Sequence, residues 1–245
     1  MFNIKNHPFA VDAFFEASIV LTFAVPKQEL INKIPECLTL DTFNDEHAFI
    51  AIAMVQTKNL RPKGFPAFLG NNFFLIGYRI FVRYTNPKGK VFRGLYIIKS
   101  ETDKTKMKFL GNLFTHYNYT KTDINELKSK ETTIIKSKKS DFKLEFNSNL
   151  DNVDLPKNSP FQSWKEARKF AGPLPFTFTY NNKKKEILII EGVRKKWQPK
   201  PILVKNYHFS FLNGLNLKNI HLANAFIIND IPYSWKKGKI ELWNQ

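Results

Sequence analysis

The sequence predicts an α+β fold in which antiparallel strands form one large curled or barrel-like sheet with a few short helices. Three observations support this prediction. Alternating apolar patterns recur along the chain, for example at residues 79–84, 142–146 and 176–180. Turn sequences such as Asn86-Pro87-Lys88-Gly89 separate neighbouring segments, which is typical of hairpins, so we expect a meander of antiparallel hairpins. Patterns with helical spacing are few and short.

Two apolar segments predict buried strands. Residues 48–55 are apolar in both alternating registers, which predicts a strand covered on both faces. Residues 17–25 are too short to span a bilayer, and acidic residues precede them where a signal peptide would be basic. No other segment is long enough to span, so no membrane partner is predicted. Further strands are expected at residues 91–98, 132–136 and 186–193.

Helices are indicated by proline in a first turn, by apolar spacing of three or four, and by a capping box. We expect three: residues 26–34, residues 107–114 with Thr102 or Asp103 as the cap, and a helix from a capping box at residues 159–162 to about Phe170. The polar stretch 147–160 predicts a long loop.

The composition indicates one domain, residues 1–245, because no repeat or flexible linker divides the chain. A hydrophobic content of 43%, with 24 phenylalanines, is sufficient for a substantial core. The single cysteine, Cys37, excludes a disulfide framework and zinc sites with several thiolates, and it is expected to be a small buried side chain. This cysteine usage fits a reducing cytoplasm.

The formal net charge of +17 suggests attraction to polyanions. However, 32 of the 38 basic residues are lysine, whereas bidentate phosphate and base contacts rely on arginine. The lysines cluster at expected turns, at residues 138–139, 183–185 and 236–237. This pattern favours a solvated surface with protected sheet edges over a nucleic-acid partner. Polyanion binding is therefore the third functional hypothesis, after binding of a small molecule and Schiff-base catalysis.

Strong catalytic motifs are missing from the sequence. It contains no phosphate-binding glycine loop, no nucleophile elbow, and no metal-binding pair of histidines or cysteines. We therefore predict neither a metal nor a cofactor.

Two weaker features remain. His116, Tyr117 and Tyr119 follow the second expected helix, either as half-buried strand residues or as the wall of a polar pocket. Lysines near apolar strands, Lys99 and Lys104, are either ordinary surface residues or Schiff-base nucleophiles, because burial lowers the pKa of a lysine. In the second interpretation Glu101 would orient the lysine.

Several sequence blocks, in this order, resemble the YqjF-like uncharacterised bacterial family, whose fold resembles acetoacetate decarboxylase. The similarity extends over residues 15 to 235. The blocks are residues 30–41, 48–55, 60–66 (Leu-Arg-Pro-Lys-Gly-Phe-Pro), 78–82 (Tyr-Arg-Ile-Phe-Val), 93–97 (Arg-Gly-Leu-Tyr-Ile) and 107–119.

The sequence also departs from the decarboxylases. Gly77 stands where many relatives have a polar residue, often asparagine, two positions before the strand arginine. No adjacent lysine pair follows residues 93–101, and Glu16 stands near the position of a decarboxylase arginine. The resemblance therefore implies the fold and a pocket, but not the decarboxylation.

The leading hypothesis is a protein that binds a small, partly apolar carboxylate or keto-acid-like molecule in an internal pocket. Arg79 and Arg93 would form a carboxylate clamp if they face inward; the alternative is that both face solvent. Further candidates for ligand contacts are Tyr96, His116, Tyr117 and Tyr119. The alternative is a Schiff-base lysine enzyme that acts on a keto acid. The resemblance leaves a homo-oligomer open, because the decarboxylase relatives form oligomers.

Overall fold

A computed structural model describes residues 3–172, 174–195 and 197–243. The strands are β1 Val11–Pro26, β2 Thr39–Leu40, β3 His47–Pro62, β4 Asn71–Thr85, β5 Val91–Thr102, β6 Tyr119–Lys121, β7 Asn125–Lys128, β8 Thr133–Ser137, β9 Phe142–Asn147, β10 Phe176–Asn181, β11 Glu186–Arg194, β12 Lys200–Pro201, β13 Leu203–Phe209, β14 His221–Trp235 and β15 Lys239–Leu242. The helices are α1 Lys27–Leu30, α2 Thr105–Phe114, α3 Trp164–Phe170 and α4 Ser210–Asn213, with short 3-10 turns at Ile31–Lys33 and Ala67–Leu69.

Eleven strands form the main sheet, whose order is β12-β14-β1-β3-β4-β5-β10-β11-β15 with β2 and β6 at its side. The sheet curls until β11 pairs with β14 through Gly192–Arg194 and Tyr233–Trp235. The predicted large curled sheet is confirmed. It is better described as curled than as a closed barrel, because only three residue pairs join β11 to β14.

The three predicted antiparallel hairpins are present, namely β4 with β5, β8 with β9 and β10 with β11. The meander is not continuous, however, because β5 pairs in parallel with β6 and with β10. Parallel neighbours need a long crossover connection, and the connection from β5 to β10 comprises α2, strands β6 to β9, the predicted long loop and α3.

The two faces of the main sheet have different partners. Ile50, Ile52 and Met54 of β3 belong to one buried cluster with residues of the second sheet, β13-β9-β8-β7, such as Leu144 and Phe146. The residues between them alternate to the opposite face. That face carries small side chains at residues 51 and 53, and a cavity lies against it. The expectation of a strand covered on both faces is confirmed, since residues 48–55 are all buried.

Both predicted caps are wrong. Asp103 does not cap α2, because its carboxylate instead accepts a hydrogen bond from the backbone N–H of Phe74 at 2.8 Å, and α2 has no side-chain cap. For α3, the Ser163 hydroxyl accepts from the backbone N–H of Glu166. Ser163 and Glu166 have the spacing of a capping box, so α3 begins four residues later than the predicted box. The longest helix in the described residues has ten residues, and none is long and apolar enough to cross a membrane.

Cys37 is buried, as predicted, and burial raises the pKa of its thiol to about 12. Because the thiolate is the reactive form, its population at pH 8 is about 1,000-fold below that of an ordinary cysteine. We expect iodoacetamide to label the folded protein at least about 100-fold more slowly than the protein in urea. Mass spectrometry of timed samples measures this, and equal rates in the two conditions would contradict the burial of Cys37.

Candidate functional site

A cavity of about 400 Å³ lies against the face of the main sheet that carries the small residues of β3. Its walls come from β1, β3, β4, β5 and β14, from α2, and from the segments before β1 and before β10. Most of the lining side chains are apolar. The volume is within the range of small-molecule sites, and the polar groups on the wall are few.

Arg79 extends from β4 into this cavity. It shares a face of the strand with Gly77 and Phe81, which also line the cavity. A Cβ atom at residue 77 would lie 2.8 Å from the Nε atom of Arg79. The glycine therefore provides the space in which the guanidinium group lies against the strand. The glycine at residue 77, where many relatives have a polar residue, thus corresponds to the position of the Arg79 side chain in the structure.

No carboxylate neutralises Arg79 within the described residues. Burial lowers the pKa of the guanidinium group, and only the nearby phenols of Tyr233, Tyr119 and Tyr117 act in the opposite direction. Its Nε–H is buried and has no hydrogen-bond partner in the part of the chain that the structure describes. The described residues that line the cavity include no aspartate or glutamate. Buried charges in proteins are normally paired, whereas Arg79 has no counter-ion among the described residues.

A second arginine, Arg194, lines the same cavity from the end of β11. The central carbon of its guanidinium group lies 4.1 Å from the ring centre of Trp197 and 5.7 Å from that of Tyr233. Burial lowers the pKa of Arg194, and repulsion from Arg79 lowers it further. The two cations are therefore close enough to interact.

Two predicted tyrosines complete the polar wall. The hydroxyl groups of Tyr117 and Thr177 form a hydrogen bond of 2.9 Å. Burial raises the pKa of Tyr117 to about 12 and also raises that of Tyr119. Both phenols are therefore neutral at pH 7. A Cβ atom on Gly111 of α2 would lie 2.4 Å from the ring of Tyr119, so the glycine allows this ring to pack against the helix.

Arg93 does not join Arg79 in a clamp. Its guanidinium group binds the buried carboxylate of Asp41 at 2.7 Å, and Arg83 binds the other oxygen at 2.6 Å. Arg93 also donates to the carbonyl of Phe170 at 2.9 Å. Its direct partner on β4 is Arg83, four residues along the strand from Arg79, which is about 13 Å at the rise of a β-strand. The prediction of an Arg79–Arg93 clamp is therefore corrected.

Tyr96 and His116 are not among the described residues that line the cavity. Tyr96 packs against the cluster on the opposite face of the sheet. The Nε2 atom of His116 lies 2.9 Å from the amide oxygen of Asn6, and burial lowers the pKa of this histidine. Their roles in ligand binding stay predictions without support from this geometry.

The candidate lysines also lie apart from the cavity wall. Lys99 forms an ion pair of 3.0 Å with Glu101, which is 2% exposed, and lies over the rings of Tyr78 and Phe211. Lys104 is exposed and pairs with Asp103 at 3.2 Å. None of the described lining residues is a lysine.

The sequence reasoning missed Arg194, Trp197 and Tyr233. The sequence did offer one signal for Arg194, because arginine is rare in this chain, at six of the 38 basic residues. Another was Gly192 within a strand, which often marks a close approach. A Cβ atom at this residue would lie 2.0 Å from the phenol oxygen of Tyr233.

The surface lysine clusters lie in turns of the sheet, as expected, and some of them form ion pairs. Lys185 binds Glu36 at 2.6 Å and Lys236 binds Glu191 at 2.9 Å. In the part of the chain that the structure describes, no group of three or more potential ligand residues could hold a metal ion.

Solved structures of low sequence identity have the same fold. Acetoacetate decarboxylase from Legionella pneumophila is 12% identical, with a TM-score of 0.58, over 96% of this chain and 88% of that one. An acetoacetate decarboxylase-like enzyme from Sphingomonas wittichii RW1 is 9% identical, with a TM-score of 0.59, over 97% and 94%. The enduracididine biosynthesis enzyme MppR, complexed with the condensation product of pyruvate and imidazole 4-carboxaldehyde, is 6% identical, with a TM-score of 0.59, over 95% and 89%.

No protein of curated function matches the sequence. The predicted resemblance is nevertheless confirmed by a family model. The model of DUF2071, an uncharacterized conserved protein, matches residues 14–229, and the chain therefore belongs to this family.

Proposed function

We propose that this protein binds a small organic anion with an apolar body, such as a carboxylate or a keto acid, in the cavity beside Arg79. One observation carries the proposal, namely a buried guanidinium group without a counter-ion among the described residues. Leaving such a charge unpaired is costly. A ligand carboxylate would pair with it through a charge-assisted hydrogen bond, while the apolar wall would bury the remainder of the ligand.

The neutral phenols beside Arg79 suit the carbonyl end of a keto acid. Tyr117 and Tyr119 keep their protons at pH 7, since a phenol in water has a pKa of about 10 and burial raises the pKa of both further. A neutral phenol can donate to a carbonyl oxygen. The relative MppR is described as complexed with a product of pyruvate, which makes keto acids reasonable first candidates.

The Schiff-base alternative has no comparable support. That chemistry needs a lysine amine beside the bound carbonyl group. Because the described wall contains no lysine and Lys99 is paired with Glu101, no observation favours a covalent mechanism over simple binding.

Replacing Arg79 should weaken carboxylate binding. We expect hexanoate to bind the unmodified protein in isothermal titration calorimetry and to raise its melting temperature, whereas hexan-1-ol and hexylammonium do not. Arg79→Met should weaken hexanoate binding at least tenfold, which corresponds to about 1.4 kcal/mol, since the bidentate ionic contact is lost. Arg79→Lys should give an intermediate affinity, because it keeps the charge but not the planar fork.

The matched control is Lys88→Met, which removes one positive charge from the exposed turn between β4 and β5. This variant should bind hexanoate as the unmodified protein does. Equal binding of hexanoate by the Arg79→Met protein, or equal binding of hexan-1-ol and hexanoate, would refute the proposal.

A further inference from the structure

The cavity holds two guanidinium groups that lack carboxylate partners among the described residues. Arg79 comes from β4 and Arg194 from the end of β11, on strands that are not neighbours in the sheet. Tyr233 lies beside both and raises the pKa of each. Each cation lowers the stability of the other's charge, because like charges in a poorly solvated space repel. A ligand with a single negative charge would neutralise only one of the two cations.

Aromatic contacts offset the charge of Arg194 only in part. The guanidinium group stacks on the ring of Trp197 at 4.1 Å. A ring face attracts a cation through its quadrupole, which is weaker than the attraction of a full anion. The ring offers no acceptor oxygen to the edge N–H groups of Arg194, and no carboxylate of the described residues acts on the pKa of this arginine. The ring does, however, fix the plane in which those donors lie.

A further donor lies beside Arg194. The indole N–H of Trp197 is buried and has no hydrogen-bond partner among the described residues. Buried donors are normally satisfied, and an oxygen-rich group placed against Arg194 could accept from both side chains. The Nε–H of Arg79 likewise has no acceptor within the described ranges. Unmatched donors therefore occur around each of the two cations.

We propose that the ligand of this cavity is a dianion, with one acidic group bound by Arg79, a second bound by Arg194, and an apolar chain between them. This inference rests on the proposed function, since it assumes that the cavity binds an organic anion. A dicarboxylate neutralises both cations, whereas a monocarboxylate leaves one of them unpaired. The cavity wall also includes the apolar side chains of Ala51 and Ala53, and such a wall suits a methylene linker.

The test compares acids of equal chain length by isothermal titration calorimetry. The dicarboxylates glutarate, adipate, pimelate and suberate are compared with pentanoate, hexanoate, heptanoate and octanoate. We expect the best dicarboxylate to bind at least tenfold more tightly than the monocarboxylate of its own length. In the Arg194→Met variant this advantage should fall below threefold. Arg194→Gln provides a second variant with the same expectation.

The control for general electrostatic attraction is again Lys88→Met, which should retain the full advantage of the dicarboxylate. Monocarboxylates that bind as tightly as dicarboxylates at every length would overturn the dianion inference while leaving anion binding intact. An advantage that survives in both Arg194 variants would also overturn it. Failure of every acid to bind the unmodified protein would overturn the proposed function and this inference together.

Discussion

Replacing Arg79 with methionine should stabilise the unliganded protein by about 1–3 kcal/mol, because buried ionic groups can often be replaced by apolar side chains with a gain of stability. Burial lowers the pKa of this arginine, and no carboxylate offsets the cost. Methionine has a similar length and fills irregular apolar space. Urea denaturation followed by circular dichroism at pH 7 measures the change.

Arg83 provides a control on the same strand. It receives the same substitution, but its guanidinium group is paired with Asp41 at 2.6 Å and is 42% exposed. We expect Arg83→Met to destabilise the protein by about 1 kcal/mol, since a charged hydrogen bond to a buried carboxylate is lost. If Arg79→Met raises the free energy of unfolding and Arg83→Met lowers it, then the pairing of the arginine with a carboxylate, and not the residue type, determines the change in stability.

A destabilised Arg79→Met protein would contradict this interpretation of the cavity. It would mean that Arg79 already has a favourable environment without a ligand. A gain of stability together with a loss of hexanoate binding is the pattern expected when a site retains a costly group for function.

The strands could be predicted from the sequence because their burial follows a simple period. Residues 48–55 are apolar in both registers and are buried on both faces. The parallel pairing of β10 with β5 could not be predicted in this way, because local alternation does not specify which distant strand becomes the neighbour. The start of α3 was missed because two serines, Ser159 and Ser163, each precede a Glu or Gln at capping distance, and only Ser163 caps the helix.

The site could be predicted only in part, and for a related reason. Arg79 and the tyrosines at 117 and 119 were identified, and all three line the cavity. Arg93 looks equivalent to Arg79 in sequence, since both lie in apolar strands. Its role depends on Asp41, which is 52 residues away in the chain and comes within 2.7 Å only after folding. Arg194 was missed because its neighbour Tyr233 lies on β14, in a pairing that the sequence pattern does not reveal.

Replacing Asp41 with alanine should destabilise the protein by about 2–4 kcal/mol, the second large effect that the structure predicts. Its carboxylate is fully buried and binds both Arg83 and Arg93. Without it two guanidinium groups lose their partner. They are 42% and 38% exposed, so water can solvate them, and we therefore expect a cost below that of a fully buried triad. Urea denaturation of the variant measures the change.

Asp151→Ala is the control for Asp41→Ala, because the Asp151 carboxylate is 98% exposed and lies 4.0 Å from Lys200. Exposed ion pairs of this kind contribute little, so its stability should change by less than about 0.5 kcal/mol. The triple variant with Asp41→Ala, Arg83→Met and Arg93→Met should recover part of the loss, since it removes the stranded charges as well. A loss in Asp41→Ala no larger than that in Asp151→Ala would contradict the assigned role. The same sheet would then hold its arginines without needing counter-ions, and the argument that Arg79 awaits an anionic ligand would lose its physical basis.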